Sequence, residues 1–300
     1  MVKIVVIGAK GFIGSNLVAY LKQSGYDVWG ADVVVDYVDT ERYFLVDASN
    51  ADYQFIFEQQ QFDLCVNCSG AASVPESLKR PYRDFSLNSV NVYKLLEAIR
   101  LYQHGCRFIN ISSAAVYGNP DRLPVNEGDR VSPVSPYGVH KAISEQVCSL
   151  FHRYFDIPTI SMRVFSAYGD GLKKQLFWDL FQKWKKGPEV RLFGTGMESR
   201  DFIYIGDLVR AIDLVFQSAE FDGTAINLAN GEEIYIKDAV SDFYRNFEKP
   251  PRVIFGGENR PGDPVNWVAD ITKLKELGYQ PRYDLKVGLK KYYQWIIKNV

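Results

Sequence analysis

The sequence predicts an α/β protein, a doubly wound parallel sheet with a smaller C-terminal lobe, and three observations predict it. A short, nearly all-apolar run from Lys3 to Ile7 passes straight into Gly8-Ala9-Lys10-Gly11-Phe12-Ile13-Gly14 and then into an amphipathic helix with Ile13, Leu17, Tyr20 and Leu21 inward. Strand-like and helix-like segments then alternate at crossover lengths over the first ~165 residues. Beyond them the rhythm changes to aromatic-rich helices and Gly-rich turns. Residues 1–166 are therefore read as one domain and 167–300 mainly as the lobe, with a strand at about 225–229 returning to the sheet.

Taken in order, the glycines allow a tight turn and let backbone N–H groups approach a pyrophosphate at a helix N-terminus. A second strand, Asp27 to Ala31, ends at Asp32, an acid 18 residues after Gly14 and suited to ribose hydroxyls. Strand, loop, helix and acid in this order make a dinucleotide-binding Rossmann signature, with Gly8, Gly11, Phe12, Ile13, Gly14 and Asp32 as candidate contacts. Phe44 to Val46 leads to Asp47 and Ala48, where an adenine edge could be met. The strand Asp63 to Cys68 ends in Ser69-Gly70-Ala71-Ala72, small residues that let a ligand lie against the backbone. A helix from about Tyr82 to Tyr102 carries Asn88, with Val92, Leu95, Leu96 and Ile99 on its apolar stripe. Arg107 to Ile111 is the next strand, and Ser112-Ser113 stand at its carboxyl end, where open parallel sheets bind ligands.

Ser135-Pro136-Tyr137-Gly138-Val139-His140-Lys141 opens the following helix, with Pro136 suited to its first turn. Spacing of i, i+4 puts Tyr137 and Lys141 on one face. A phenol normally stays protonated to about pH 10, and an ammonium beside it favours the phenolate. The pair can then move one proton on and off a substrate hydroxyl. His140 falls on a different azimuth and is expected at the solvent surface. Pro158 to Phe165 is read as a strand and Lys173 to Lys186 as a helix containing Gln175, Leu176, Phe177 and Trp178. Phe193-Gly194-Thr195-Gly196 is a turn, Gly206 to Ser218 a helix and Ala225 to Leu228 a strand. The chain closes on helices around Ile271 to Leu277 and Leu285 to Lys298. The cluster of Phe177, Trp178, Phe181 and Trp184 is read as packing.

At 47% apolar the 300 residues can bury a large core, and a net charge of −1 implies neither nucleic-acid nor membrane electrostatics. No apolar run approaches ~18 residues, and no signal peptide is read at the start. A cytoplasmic protein is expected. Cys65 and Cys68 form a C-x-x-C inside a strand, where residues three apart face opposite sides, so packing is expected rather than a metal site.

With these motifs in sequence, the chain resembles the extended short-chain dehydrogenase/reductase family, in its NAD-dependent nucleotide-sugar epimerase and dehydratase group. Ile111-Ser112-Ser113-Ala114-Ala115-Val116-Tyr117-Gly118 resembles the family's catalytic-serine segment. The resemblance implies catalytic roles for Ser113, Tyr137 and Lys141, and NAD held by the glycine loop, Asp32, Asp47, Ala48, Cys68, Ser69, Gly70, Asn88 and the Tyr137–Lys141 pair. Val74-Pro75-Glu76-Ser77 matches the loop beside the nicotinamide. Arg200-Asp201-Phe202-Ile203-Tyr204 and Arg260-Pro261-Gly262-Asp263 match the two segments that hold a sugar nucleotide. The implied substrate contacts are Ser166, Gln175, Leu176, Arg200, Arg260, Asp263 and Trp267, with Trp267 at the gate beside the hexose. Ser166 stands where the family usually has asparagine. Ala114 and Ala115 stand where sugar 4,6-dehydratases carry an Asp-Glu pair. The implied activity is 4-epimerisation of a nucleotide-diphosphate sugar by a homodimer. A 4-keto-6-deoxysugar reductase using the same three residues, and a non-catalytic nucleotide-sensing member, are the alternatives.

Overall fold

The computed structural model describes residues 1–48, 50–258 and 265–300. The glycine loop separates β1 (Lys3–Ile7) from α1 (Phe12–Gln23), after which come β2 (Asp27–Asp32), β3 (Tyr43–Leu45), α2 (Gln54–Gln59) and β4 (Leu64–Asn67). Two short helices, α3 (Val74–Lys79) and α4 (Pro81–Phe85), precede a π-helical turn at Ser86–Val90 that runs into α5 (Asn91–Tyr102). Next are β5 (Arg107–Ser113), a 3₁₀ turn at Ala114–Val116, α6 (Pro136–Phe155) and β6 (Thr159–Val164). The remainder comprises β7 (Ser166–Tyr168), α7 (Gln175–Trp184), β8 (Glu189–Leu192), β9 (Ser199–Arg200), β10 (Phe202–Tyr204) and α8 (Ile205–Ser218). It continues through β11 (Asp222–Leu228), β12 (Ile234–Tyr235), α9 (Ile236–Tyr244), β13 (Arg252–Phe255), α10 (Thr272–Glu276) and α11 (Leu285–Asn299).

Seven parallel strands form one sheet in the order β11-β6-β5-β4-β1-β2-β3. Their apolar runs are explained by burial on both faces. Ile4, Val6, Leu64 and Val66 enter one core, while Val5, Ile7 and Cys65 enter the other. Cys65 and Cys68 accordingly face opposite sides, Cys68 packing against the first core. Strand order reverses between β1 and β4, the switch point at which a crevice opens beyond the carboxyl ends. The seventh strand, β11, comes from beyond residue 166 and pairs with β6. Three two-stranded pairs, β7 with β10, β8 with β13 and β9 with β12, frame the C-terminal part. There Phe177 and Phe181 are buried, Trp184 stacks on Phe181 with 5.9 Å between ring centroids, and Trp178 packs alongside.

Two expected helices differ in detail. The Tyr82–Tyr102 helix contains a π-turn, whose extra residue turns Asn88 inward, to 1% exposure. The Lys173–Lys186 helix shortens to Gln175–Trp184, because Gln175 at its start has φ of 67° and breaks the helical run before it.

Helix α6 is fixed to the sheet by a buried ion pair. Arg163 of β6 forks onto Glu145, with its terminal nitrogen 2.8 Å from Oε2 and Nε 3.1 Å from Oε1. Ser112 donates to the same carboxylate at 2.5 Å. Arg163→Met leaves that carboxylate buried without its partner and is expected to cost about 3–5 kcal/mol in urea unfolding. Adding Glu145→Leu recovers part of the loss, since no orphan charge then remains. A single variant within about 1 kcal/mol of wild type would contradict this account.

Candidate active site

The crevice at the switch point is about 1200 Å³. Its inner end is built from the end of β5 and the start of α6. Ser135 caps α6, accepting from the Gly138 N–H at 3.2 Å, and Ser77 of α3 accepts from the Tyr137 N–H at 3.1 Å. Gly138 sits so close to the preceding turn that a Cβ there would lie 2.5 Å from the Ala115 carbonyl oxygen. Glycine therefore lets the helix that carries Tyr137 and Lys141 press onto the segment that follows Ser113. The Ser113 hydroxyl caps the 3₁₀ turn, accepting from Ala115 N–H at 3.2 Å, and faces the same crevice as Tyr137, whose phenol pKa it helps to lower. Lys141 is 5% exposed, and its Nζ donates to the Ile111 carbonyl at 2.8 Å.

Burial governs both titrating groups. It pushes the Tyr137 phenol up to about 12, against the Ser113 hydrogen bond, and the Asp84 carboxylate adds to the rise. It pushes the Lys141 ammonium down to about 8, which Asp84 opposes. The expectation that Lys141 brings the phenol down is thus not met by these residues themselves. A buried ammonium is itself costly, and desolvation is the largest influence on each of the two groups. His140 also differs from expectation. Its side chain is 12% exposed, with Nδ1 2.6 Å from Asp84 Oδ1, because α4 packs on the helix face that would otherwise meet water.

The other predicted residues divide between the cleft wall and its surroundings. Gly11, Phe12, Ile13, Cys68, Ser69 and Gly70 line the wall on the β1–β4 side. Gly8, at φ of 79°, and Gly14 lie behind it, and a Cβ on Gly14 would be 2.1 Å from the Gly8 carbonyl oxygen. Asn88 is buried behind Gly70, with both side-chain polar atoms lacking a hydrogen-bond partner among the described residues. Asp32 ends β2 and accepts from the Lys10 N–H at 2.8 Å and the Val33 N–H at 2.7 Å. Asp47 and Ala48 are exposed on the surface beyond β3, Asp47 accepting from Asn50 N–H at 3.3 Å.

On the opposite side Ser166, Gln175, Leu176, Arg200 and Trp267 line the wall. Arg200 donates to the Ser199 and Val265 carbonyls and lies 5.7 Å over the Trp267 ring. Trp267 is 9% exposed, its indole N–H donating to the Gly118 carbonyl at 2.9 Å. Arg260 and Asp263 lie outside the described residues. Sequence reasoning did not select Phe193, a 62% exposed aromatic in the wall. Its only signal is its place at the head of a Gly-x-Gly turn. Nor did it select Asp84, which carried no motif and is found through its contact with His140.

The family model described as the NAD dependent epimerase/dehydratase family matches residues 4–229. The chain belongs to this family. It is 27% identical to UDP-glucuronate 4-epimerase 2 of Arabidopsis thaliana, over 99% of this chain and 76% of that protein. Among solved structures it is similar to UDP-glucuronic acid 4-epimerase from Bacillus cereus in complex with UDP-glucuronic acid and NAD. There the TM-score is 0.89 and the identity 29%, with 99% of this chain and 100% of that one covered. It is also similar to UDP-N-acetylglucosamine 4-epimerase from Methanobrevibacter ruminantium M1 in complex with UDP-N-acetylmuramic acid, with TM-score 0.86, 26% identity and 99% of both chains covered.

NAD is the cofactor of this epimerase family, and the residues present fit it. The Gly8–Gly14 approach leaves the α1 N-terminus open to a pyrophosphate, and no acidic residue occupies its first turn. The unpartnered Asn88 amide lies buried behind the wall of the same crevice.

The depressed Lys141 value has a measurable consequence. The folded ammonium loses its proton near pH 8, while the unfolded one keeps it to about 10.5. Between those values the unfolded state binds more protons, so stability gains from rising pH. Lys141→Met removes this contribution. The unfolding free energy of wild type minus that of the variant should climb between pH 8 and 10.5, and a flat difference would show that the ammonium is not buried as described.

Proposed function

We propose that this family member is a nucleotide-sugar 4-epimerase, in which Ser113, Tyr137 and Lys141 carry out proton transfer at the sugar 4-hydroxyl. The observation that carries the reading is their convergence at the inner end of a crevice of about 1200 Å³, with Arg200 in its opposite wall. NAD, when bound, would supply the hydride acceptor and donor for C4 and a positive charge that favours the phenolate. Tyr137 takes the hydroxyl proton and later returns it. Ser113, in the same wall as Tyr137, positions the same hydroxyl. Lys141, hung from the Ile111 carbonyl, stands one turn along the helix and adds positive charge on the cofactor side. Arg200 grips the diphosphate through its guanidinium fork, while a looser hold on the hexose allows the 4-keto sugar to present its other face. Ala114 and Ala115 are buried methyl groups directly after Ser113 and transfer no protons, which favours epimerisation over dehydration. A homodimer through α4–α5 and α6 accords with the exposed Tyr82, Tyr93 and Tyr154 on those helices, and a cytoplasmic setting is part of the same proposal. Among the described residues no helix is long and apolar enough to cross a membrane.

Purified protein should invert C4 of a UDP-hexose with no added reduced cofactor, whereas stoichiometric consumption of NADH with a 4-keto sugar would instead indicate the reductase. Tyr137→Phe should keep the fold and NAD content while turnover falls about 10²–10⁴-fold. A variant retaining a third of the wild-type rate would remove Tyr137 from the chemistry.

Sugar choice follows from Trp267, clamped between Arg200 and the Phe165 edge, 6.0 Å away, with its N–H on Gly118. An acetamido group meeting this indole would have to displace it from its contacts, and forcing such bulk into a packed wall costs roughly 1–3 kcal/mol. UDP-glucose should therefore be turned over faster than UDP-N-acetylglucosamine, and Trp267→Ala should narrow the ratio. Equal use of both sugars by the wild type would end this assignment.

A further inference from the structure

Lys10 is a cation set inside the glycine loop, and its backbone N–H touches the carboxylate of Asp32 at 2.8 Å. A four-carbon stem starting beside Asp32 reaches the ground around an adenosine ribose bound there. Its ammonium instead lies 2.5 Å from Asp36, over the Tyr43 ring at 5.5 Å. Asp36 is aimed for this contact. Its Oδ1 accepts from the Val38 N–H at 2.9 Å and the Asp39 N–H at 3.3 Å, leaving Oδ2 for Lys10. The turn that holds Asp36 is pinned at both flanks, by the Lys22–Asp39 ion pair and by the Tyr43 hydroxyl donating to the Val34 carbonyl.

We propose that Asp36 is a second determinant of cofactor choice, beside Asp32: it holds the Lys10 ammonium on itself and so denies it to a 2′-phosphate. A phosphate dianion then meets repulsion from Asp32 with the Lys10 ammonium already paired to Asp36. The same pairing is visible in the groups themselves. The hydrogen bond from Lys10 is the largest cause holding the Asp36 carboxyl down at about 2, and after burial it is Asp32 and Asp36 that push the Tyr43 phenol up to about 12. A salt bridge that merely tied the turn to the loop would affect NAD and NADP binding alike. A selectivity device changes their ratio, and does so only through Lys10.

The test is the ratio of NADP to NAD bound at equilibrium when purified protein is dialysed against an equal, excess mixture of the two, read by chromatography of the extracted dinucleotides. This reading depends on NAD binding alone, so it stands or falls independently of C4 inversion. Asp32→Ala should raise the ratio. Adding Asp36→Asn, which keeps an acceptor for the Val38 and Asp39 amides, should raise it about tenfold more, the size of one partly screened charge contact. Asp36→Ser should do the same by the same logic. Adding Lys10→Ala to the double variant should abolish that second step, as should 1 M salt, which screens exposed charges. A step smaller than twofold with both Asn and Ser, or one that survives loss of Lys10, overturns the proposal.

Discussion

Everything at the inner end of the crevice depends on where α6 lies relative to the sheet, and a buried ion pair decides that. Glu145 stands one helical turn beyond Lys141 and receives the Arg163 fork from β6 and the Ser112 hydroxyl from β5. Two strand ends and one helix are thereby joined at a single carboxylate. The remaining guanidinium nitrogen donates to the Tyr117 hydroxyl at 2.8 Å, and Tyr117 donates to Asn227 of β11 at 2.6 Å. Buried charges are costly unless every partner is present. Such a network tolerates few alternative arrangements, which suits a site where a phenol, a hydroxyl and an ammonium must meet.

Close backbone approach completes what the ion pair begins. Gly138 lets α6 press on the turn after Ser113, and Gly14 lets α1 press on Gly8. At both places a methyl group would collide with a carbonyl oxygen, so the contact is made by backbone, which does not change rotamer. A second polar chain crosses the sheet below the site. Asn67 donates to Asn110, Asn110 to Ser144, and Ser144 to the Lys141 carbonyl. The loop beside Gly70 and the helix bearing Lys141 are in this way coupled through buried hydrogen bonds.

The far wall is organised differently. Trp267 and Arg200 hold each other through a cation–π contact, and each also bonds a backbone carbonyl, Gly118 and Val265 respectively. The segment after Ser113 is therefore tied to the C-terminal arm as well as to α6. Asp201 reinforces this from beneath, accepting from the N–H groups of Asn230, Gly231 and Ala269. The arginine proposed to grip the diphosphate and the wall proposed to select the sugar thus share one framework.

The sequence by itself determined the parallel sheet, because strands buried on both faces must read as continuous apolar runs, and Lys3–Ile7 and Leu64–Asn67 do. It also determined the glycine loop with Asp32 and the Tyr137–Lys141 face, since these follow from local geometry and i, i+4 spacing. The tertiary structure alone decided the rest, for the reason that each case depends on a neighbour distant in the chain. His140 is on the solvent side of an isolated helix and becomes half of a pair only because α4 packs there. Burial, which no local pattern measures, sets Tyr137 at about 12 and Lys141 at about 8, against the simple reading of an ammonium beside a phenol. Phe193 and Asp84 carry no motif and gain their places from the surfaces they face. Lys10 reads as one more loop residue until the turn bearing Asp36 folds back on it, and that return of the chain is a property of packing, not of spacing.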